Sequence, residues 1–370
     1  MVLDDMQKIV LDTAREWTRD RMPVSAFRAL RDRGEPRGYD PAIYAELGDL
    51  GWCGVAVPEA HGGSGLGYLT LALILEQMGR TVGASPLLST AIVADALVRG
   101  GTEAVRDVWL PRLLSGQAVG ALAVDEGPRH APDAIGAVAV KTGDGWRLDG
   151  VKRFVTEGLG ADLLIVAART DDGIALFALD AGAEGLLRTP RRLTDQRGHA
   201  DLTLDGVLAP EHACLAQGTG DAALIDTLLD RARALTAAEL LGLAVGAFEM
   251  TVEYLKVREQ FGQKIGAFQA LQHRAAHLHT RLELTRSAVL AALLAIDDGS
   301  GDIPRLVALA KATASETANL ATREMIQMHG GIGMTDDHDA GFYIKRARVL
   351  EATWGGAAFH RERYGRMIGV

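Results

Sequence analysis

Only two cysteines, Cys53 and Cys214, occur in the 370 residues, and neither belongs to a Cys-x-x-Cys pair. No zinc ribbon, thioredoxin-like pair or disulfide framework is signalled; two isolated cysteines read as small buried hydrophobes in a reducing compartment. An excess of basic charge is missing too. The 39 Lys and Arg stand against 48 Asp and Glu, for a formal net charge of −9, the opposite of what a nucleic-acid binder presents. The one dense cationic group, Arg188, Arg191 and Arg192, reads equally as a solvated loop or an anion site. No window approaches about 18 uninterrupted apolar residues, so no membrane span is expected. The opening Met1-Val2-Leu3-Asp4-Asp5-Met6 lacks the basic and apolar regions of a secretory signal, and the expected location is cytoplasmic. His273 and His277 are four apart but have no acidic third ligand at a clear spacing, so no metal is expected. Gly63-x-Gly65-x-Gly67 lacks the preceding strand of a dinucleotide fingerprint, and neither Gly-x-Ser-x-Gly nor a P-loop occurs.

Hydrophobic residues make up 48% of the chain and charged residues 24%, the balance of an ordinary globular protein. The length allows two or three folding units. Residues 1–115 read as helices: Asp40-Pro41 is a capped helix start, and Tyr68 to Met78 is apolar nearly all round, as in a buried helix. Residues 116–215 change character. Short apolar runs at Val119–Val124, Trp146–Leu148, Val151–Thr156, Leu163–Ala168 and Ala175–Leu179 are separated by Gly and Asp, and Thr142-Gly143-Asp144-Gly145 is a hairpin signal. From 216 to 370 the helical period returns. Leu235, Ala238, Leu241, Val245, Phe248, Val252 and Leu255 form one stripe. Three more long segments follow at about 265–296, 304–328 and 338–367, which predicts a four-helix bundle. The expected class is α+β, mainly α: a helical N-terminal domain, a β-barrel-like middle domain and a C-terminal bundle.

That order resembles the acyl-CoA dehydrogenase superfamily over nearly the whole chain. Pro58-Glu59 with Gly62-Gly63-Ser64-Gly65 is similar to the family's N-terminal segment. Gly150-Val151-Lys152-Arg153-Phe154-Val155-Thr156 resembles its Gly-x-Lys-x-Trp-Ile-Thr strand. Arg258-Glu259-Gln260-Phe261-Gly262, with Gln269 and Gln272 after it, resembles Arg-x-Gln-Phe-Gly; Gln327-Met328-His329-Gly330-Gly331-Ile332-Gly333 resembles Gln-x-x-Gly-Gly-x-Gly. The last two are specific in combination. The resemblance implies FAD as cofactor, an acyl-CoA thioester as substrate, a homologous subunit as partner and an electron-transfer flavoprotein as acceptor. Arg258, Gln260, Phe261, Gln269, Gln272, Gln327, Gly330 and Gly331 would hold the ADP part of an FAD bound mainly to a neighbouring subunit. A planar cationic fork and open glycine backbone suit a pyrophosphate. Phe154, in place of the usual Trp, and Thr156 would face the flavin ring.

Three departures stand beside this. The family's base, a Glu near the C-terminus, falls on Trp354, which cannot accept a proton. The alternative base position on the first bundle helix is Ala232. The usual Thr-Glu-x-x-x-Gly-Ser-Asp loop becomes Asp125-Glu126-Gly127-Pro128-Arg129-His130-Ala131-Pro132-Asp133, whose prolines remove backbone donors. Glu351 and Glu126 are the remaining carboxylate candidates, with Asp125, His130 and His329 as further acid–base groups. A subset of actinobacterial-type enzymes pairs a catalytic with a non-catalytic subunit in an α2β2 assembly, and this chain resembles the non-catalytic one. The alternatives are a homo-oligomeric flavoenzyme with different chemistry in a specialised biosynthetic pathway, and a non-enzymatic scaffold.

Overall fold

The structure is a computed structural model that describes residues 3–215 and 221–370. Six helices come first: α1 (Asp5–Arg21), α2 (Val24–Asp32), α3 (Pro41–Asp49), α4 (Gly67–Arg80), α5 (Leu87–Gly100) and α6 (Glu103–Leu114). The strands are β1 (Gly120–Ala123), β2 (Val138–Thr142), β3 (Gly145–Val155), β4 (Leu163–Thr170), β5 (Gly173–Asp180), β6 (Leu186–Pro190), β7 (Ala200–Pro210) and β8 (Cys214–Leu215). Then follow α7 (Asp221–Val257), the short hairpin β9 (Glu259–Gln260) and β10 (Gln263–Lys264), α8 (Gln269–Asp298), α9 (Ile303–His329), α10 (Ala340–Ala352) and α11 (Ala357–Met367). Helices, sheet and helices succeed one another as the sequence predicts. The chain's contacts cluster into two compact units, each drawing on separated segments.

The sheet unit comprises Ala29–Gly67 and Ala84–Ala232. Its strands run in the order β6-β7-β3-β2-β4-β5-β8, with β1 parallel to β4. Leu163–Ala168 of β4 are buried throughout, as a continuous apolar run demands. The predicted hairpin joins β2 to β3, with Thr142 opposite Gly145. Two predicted runs, at 146–148 and 151–156, are one strand: Gly150 at φ +146° carries β3 through a register shift against β7. Thr156 lies just beyond that strand. Asp40 caps α3 through the Ala42 N–H, with Pro41 in its first turn. Cys53 and Cys214 are buried, and burial pushes the Cys53 thiol up to about 12, which makes it inert.

The helical unit comprises Tyr68–Gly83 and Arg233–Val370, with residues up to Arg28. Tyr68 to Gly79 of α4 are all buried, as its composition predicts. The stripe read on α7 is a correction: its middle stretch, 228–247, is buried on every face. Glycines make this possible within the helical unit. A Cβ on Gly242 would lie 1.9 Å from the Glu76 carbonyl, one on Gly246 2.3 Å from the Arg80 carbonyl, and one on Gly79 2.3 Å from the Glu239 carbonyl. Two helix backbones therefore pass at a distance that no other residue permits. The Ala223–Val257 stretch of α7 is long and apolar enough to cross a bilayer, but 78% of its apolar window is buried, as in a core helix.

The last predicted helix, 338–367, is also corrected. It breaks into α10 and α11 at Thr353-Trp354-Gly355-Gly356. Trp354 has φ +58° and Gly355 φ +100°, a path that no helix continues.

Candidate functional site

The first cluster of predicted site residues is built at the far end of the helical unit. α7 stops at Val257, and Glu259–Gln260 pair with Gln263–Lys264 across the two-residue turn Phe261-Gly262. Both turn residues have positive φ, +52° and +79°, the pattern that usually calls for Asn-Gly. Phe261 is 89% exposed. Arg258 is exposed, and its guanidinium makes no ion pair or side-chain hydrogen bond among the described residues. The hairpin is tied to the end of α9 by a small core of Leu255, Ile265 and Met328, with Tyr254, Phe268 and Leu271 packed on it. His329 stacks on Tyr254, ring centroids 4.3 Å apart. Arg258, Gln260, Phe261 and Gln269 are thus brought to the same end of the unit as Gln327, Gly330 and Gly331, all of them exposed. Gln272 is exposed too, but its amide donates to the Gly266 carbonyl at 2.9 Å and steadies the turn. An open pocket of about 390 Å³ beside it is lined by Lys256, Lys264 and Leu255 among others.

The second cluster surrounds the break between α10 and α11. Helix ends leave carbonyls without partners, and here side chains from three other segments supply them. Lys311 of α9, wholly buried, donates to the carbonyls of Leu350, Glu351 and Gly355, each at 3.0 Å. Arg233 Nε and His360 Nε2 both meet the Trp354 carbonyl at 3.1 Å. Burial lowers Lys311 to about 7 and His360 to about 2, so the imidazole is neutral with its proton on Nε2. Trp354 itself is 7% exposed. Glu351 is engaged elsewhere: its Oε2 accepts from Asn319 at 2.7 Å and Arg348 at 2.8 Å. His329 is buried against the Met325 carbonyl at 2.7 Å, and burial lowers it below the ordinary imidazole value. Neither is poised to take a proton from a ligand.

The third cluster belongs to the sheet unit. After β1 the loop folds back on two carboxylates. Asp125 takes His130 Nδ1 at 2.8 Å and the Ala131 N–H at 3.1 Å. Glu126 takes the Gly136 and Ala137 N–H groups at 2.7 and 2.9 Å and the buried Lys152 ammonium at 2.6 Å. Burial alone would raise Glu126, but Lys152 and the two amides outweigh it and hold the carboxyl below its usual range. Glu126 is a loop clamp, poorly suited to act as a base at neutral pH. Three backbone donors of this loop, at Ala131, Gly136 and Ala137, are thereby consumed internally, so an incoming phosphate or carbonyl finds fewer of them. Ala232 on α7, which the resemblance sets at the alternative base position, is fully buried. Phe154 stands at φ +52° and 41% exposed. Thr156 is half-buried.

Sequence reasoning missed Lys311, His360 and Asp201. Nothing in local pattern marks them: Lys311 and Asp201 act on backbone about 40 or more residues away, and His360 reaches back six residues across the break between α10 and α11. Among the described residues no group of three or more His, Cys, Asp or Glu is placed to hold a metal.

Comparison with known proteins agrees with this architecture. The acyl-CoA dehydrogenase N-terminal domain model matches residues 4–117 and the C-terminal domain model residues 218–369. The chain is 30% identical to mitochondrial isovaleryl-CoA dehydrogenase of Arabidopsis thaliana, over 100% of this chain and 92% of that protein. Among solved structures, the Tcur3481-Tcur3483 steroid ACAD superposes with a TM-score of 0.91 at 35% identity, covering 99% of this chain and 98% of that one. The ChsE4-ChsE5 complex of Mycobacterium tuberculosis superposes with a TM-score of 0.90 at 27% identity, covering 100% and 98%. This chain belongs to the acyl-CoA dehydrogenase family.

Membership implies FAD, and the residues at the hairpin end fit part of it. Arg258 offers an uncommitted guanidinium, and a Cβ on Gly330 or Gly331 would meet nothing within 4 Å. A diphosphate can approach such a surface closely.

Proposed function

We propose that this chain is a non-catalytic subunit of an FAD-dependent acyl-CoA dehydrogenase assembly, working with a homologous partner that supplies the base. The observation that carries the reading is Trp354 at the position where the family places its Glu, buried and fixed by Arg233 and His360. FAD, when bound, supplies the hydride acceptor for α,β-dehydrogenation of an acyl-CoA thioester. This chain's share is to bind and orient. Arg258, Gln260 and the Gly330-Gly331 turn present donors for the ADP part of a partner's FAD. The exposed Phe261 shields that site from water on association. The loop from Asp125 to Ala137 spends three of its N–H groups, those of Ala131, Gly136 and Ala137, on its own carboxylates, so it offers fewer donors to a thioester of its own. The reading is supported by the likeness to the ChsE4-ChsE5 complex, itself an assembly of two chains. Likeness to the steroid ACAD makes a bulky polycyclic acyl thioester the first substrate to try, with an electron-transfer flavoprotein as acceptor.

The test is anaerobic mixing of acyl-CoA thioesters with the chain purified alone and with the chain co-expressed with a homologue. The chain alone leaves any bound flavin unbleached; the co-expressed assembly bleaches it. Turnover by a homo-oligomer of this chain would overturn the reading and favour a different base.

A further inference from the structure

The connection between α9 and α10, residues 330–339, is held by contacts that the proposed function does not use. Gly330–Met334 form a tight turn, and the residues from Gly331 to Asp337, apart from Gly333, are exposed. The chain then returns through His338, half-buried against the helical unit. Three contacts pin it there. The His338 ring lies on His329, centroids 4.3 Å apart, and His329 stacks in turn on Tyr254 of α7, also at 4.3 Å. Arg28 of α2 donates to the Asp336 carbonyl at 2.6 Å and to Asp339 at 2.7 Å. His338 Nδ1 accepts the Ala340 N–H at 3.1 Å. Ala340 opens α10, so this N–H is one of those that a helix leaves without an internal partner.

The last contact dictates the state of the ring. An imidazole nitrogen that accepts a hydrogen bond carries no proton, so the one proton of His338 is on Nε2. A second proton can go only to Nδ1, where it would face the Ala340 N–H. The cation would also sit at the positive end of α10, with the Arg28 guanidinium on one side and the His329 ring on the other. Asp339 attracts it, but that carboxylate already serves Arg28. Burial lowers His338 below the ordinary imidazole value; Asp339 opposes the shift and Arg28 adds to it. His329 differs, because its Nδ1 donates to the Met325 carbonyl at 2.7 Å, a bond that protonation leaves intact.

We propose that His338 is an acid-sensitive latch on the α9–α10 connection: the neutral ring pins the connection to the helical unit, and the protonated ring releases it. The sign follows from linkage. The open connection takes up a proton near about pH 6.5 that the closed one refuses, so closure is strongest above that value and weakens as pH falls below it. The latch stands on these contacts alone. Its consequence, that acid loosens the Gly330-Gly331 turn and with it a partner's FAD, rests on the proposed function.

The test is hydrogen exchange of the purified chain, followed without denaturant from about pH 7.5 to about pH 5, the range in which histidine titrates, and corrected for intrinsic exchange. In wild type the protection of peptides spanning 331–343 should fall severalfold on acidification, by at most about tenfold per pH unit because one proton is bound. The middle of α7 should change less, which separates local opening from global unfolding. His338→Asn supplies a side-chain oxygen to the N–H two residues on and removes the titratable ring; its protection should hold across the range. His329→Gln leaves the latch in place and should keep the acid response. An acid-independent wild type, or a response that survives His338→Asn, would overturn the proposal, as would one abolished only by His329→Gln. The co-expressed assembly carries the second arm. Wild type should release FAD faster at the acid end of the range than at the neutral end, and His338→Asn should not. Acid opening in the free chain with FAD release unaffected upholds the latch and sinks the reading of Gly330-Gly331 as a cofactor contact.

Discussion

A single side chain can decide how a helix break responds to acid, and His360 is the clearest case. Its imidazole is buried, donates to the Trp354 carbonyl and is lowered to about 2, chiefly by desolvation, with Lys311 and Arg233 adding repulsion. Unfolding frees it to bind a proton below its ordinary value near 6.5, so the unfolded state gains protons that the folded state refuses. Stability should fall as pH drops from about 6.5 through the acid range, by up to about 1.4 kcal/mol per pH unit from this group. His360→Gln keeps a neutral donor and should flatten that slope while costing about 1 kcal/mol at pH 7; urea unfolding at a series of pH values checks it. An unchanged slope would mean that the ring is solvated in the folded state. None of this was legible in the sequence. Trp354 was found by its distance from a motif, but the side chains that hold the break around it come from positions 233, 311 and 360, which no local pattern connects. The candidate residues that sequence did mark are those that lie exposed in short runs, such as Arg258 to Gly262.

Elements were more legible than residues, because periodicity and turn chemistry are local. Asp40-Pro41, the hairpin at Thr142–Gly145 and the apolar α4 follow from composition alone. The break in the last helix did not, since Trp354 carries no helix-breaking signal and Gly355-Gly356 reads equally as a weak helix; packing decides it. The same distinction separates the glycines. Gly242 lies on α7 where a Cβ would sit 1.9 Å from the Glu76 carbonyl. Gly242→Ala should therefore destabilise the fold by about 1–3 kcal/mol, the usual cost of overpacking, with a lower midpoint in urea. Gly331 has nothing within 4 Å of an added Cβ and no positive φ, so Gly331→Ala should leave the midpoint unmoved and instead reduce FAD affinity in the assembly. The hairpin β9–β10 gives a third contrast. Phe261 occupies a left-handed turn position while 89% exposed, at a conformational cost of roughly 1–2 kcal/mol. Phe261→Asn should raise the stability of the free chain and weaken its association with the partner. A variant that loses both would place Phe261 in the core packing against Phe268, not in an interface.

At the scale of the molecule the question is whether binding and chemistry have been divided between two chains. The helical unit presents Arg258, with no side-chain partner among the described residues, beside exposed glutamines and glycines, while Trp354 and Ala232, which the resemblance sets at the base positions, are buried and offer no carboxylate. If the division is real, the two functions can be removed separately and from different chains. Arg258→Ala in this chain alone deletes an exposed cation whose side chain has no partner among the described residues, so its effect on unfolding should stay within about 0.5 kcal/mol. Its effect on the assembly should be a loss of FAD affinity of roughly tenfold or more, the scale of a charge-assisted contact to phosphate. Arg258→Lys should recover only part of it, since an ammonium lacks the two-pronged geometry. Replacing the partner's base carboxylate by its amide should do the reverse, retaining flavin and abolishing its bleaching by acyl-CoA. Measuring flavin content and bleaching on the four combinations separates the outcomes. Loss of both properties from either chain would point to two equivalent sites. Loss of flavin from one chain's variant and of chemistry from the other's fits only a shared site, with this chain as its cofactor-holding half.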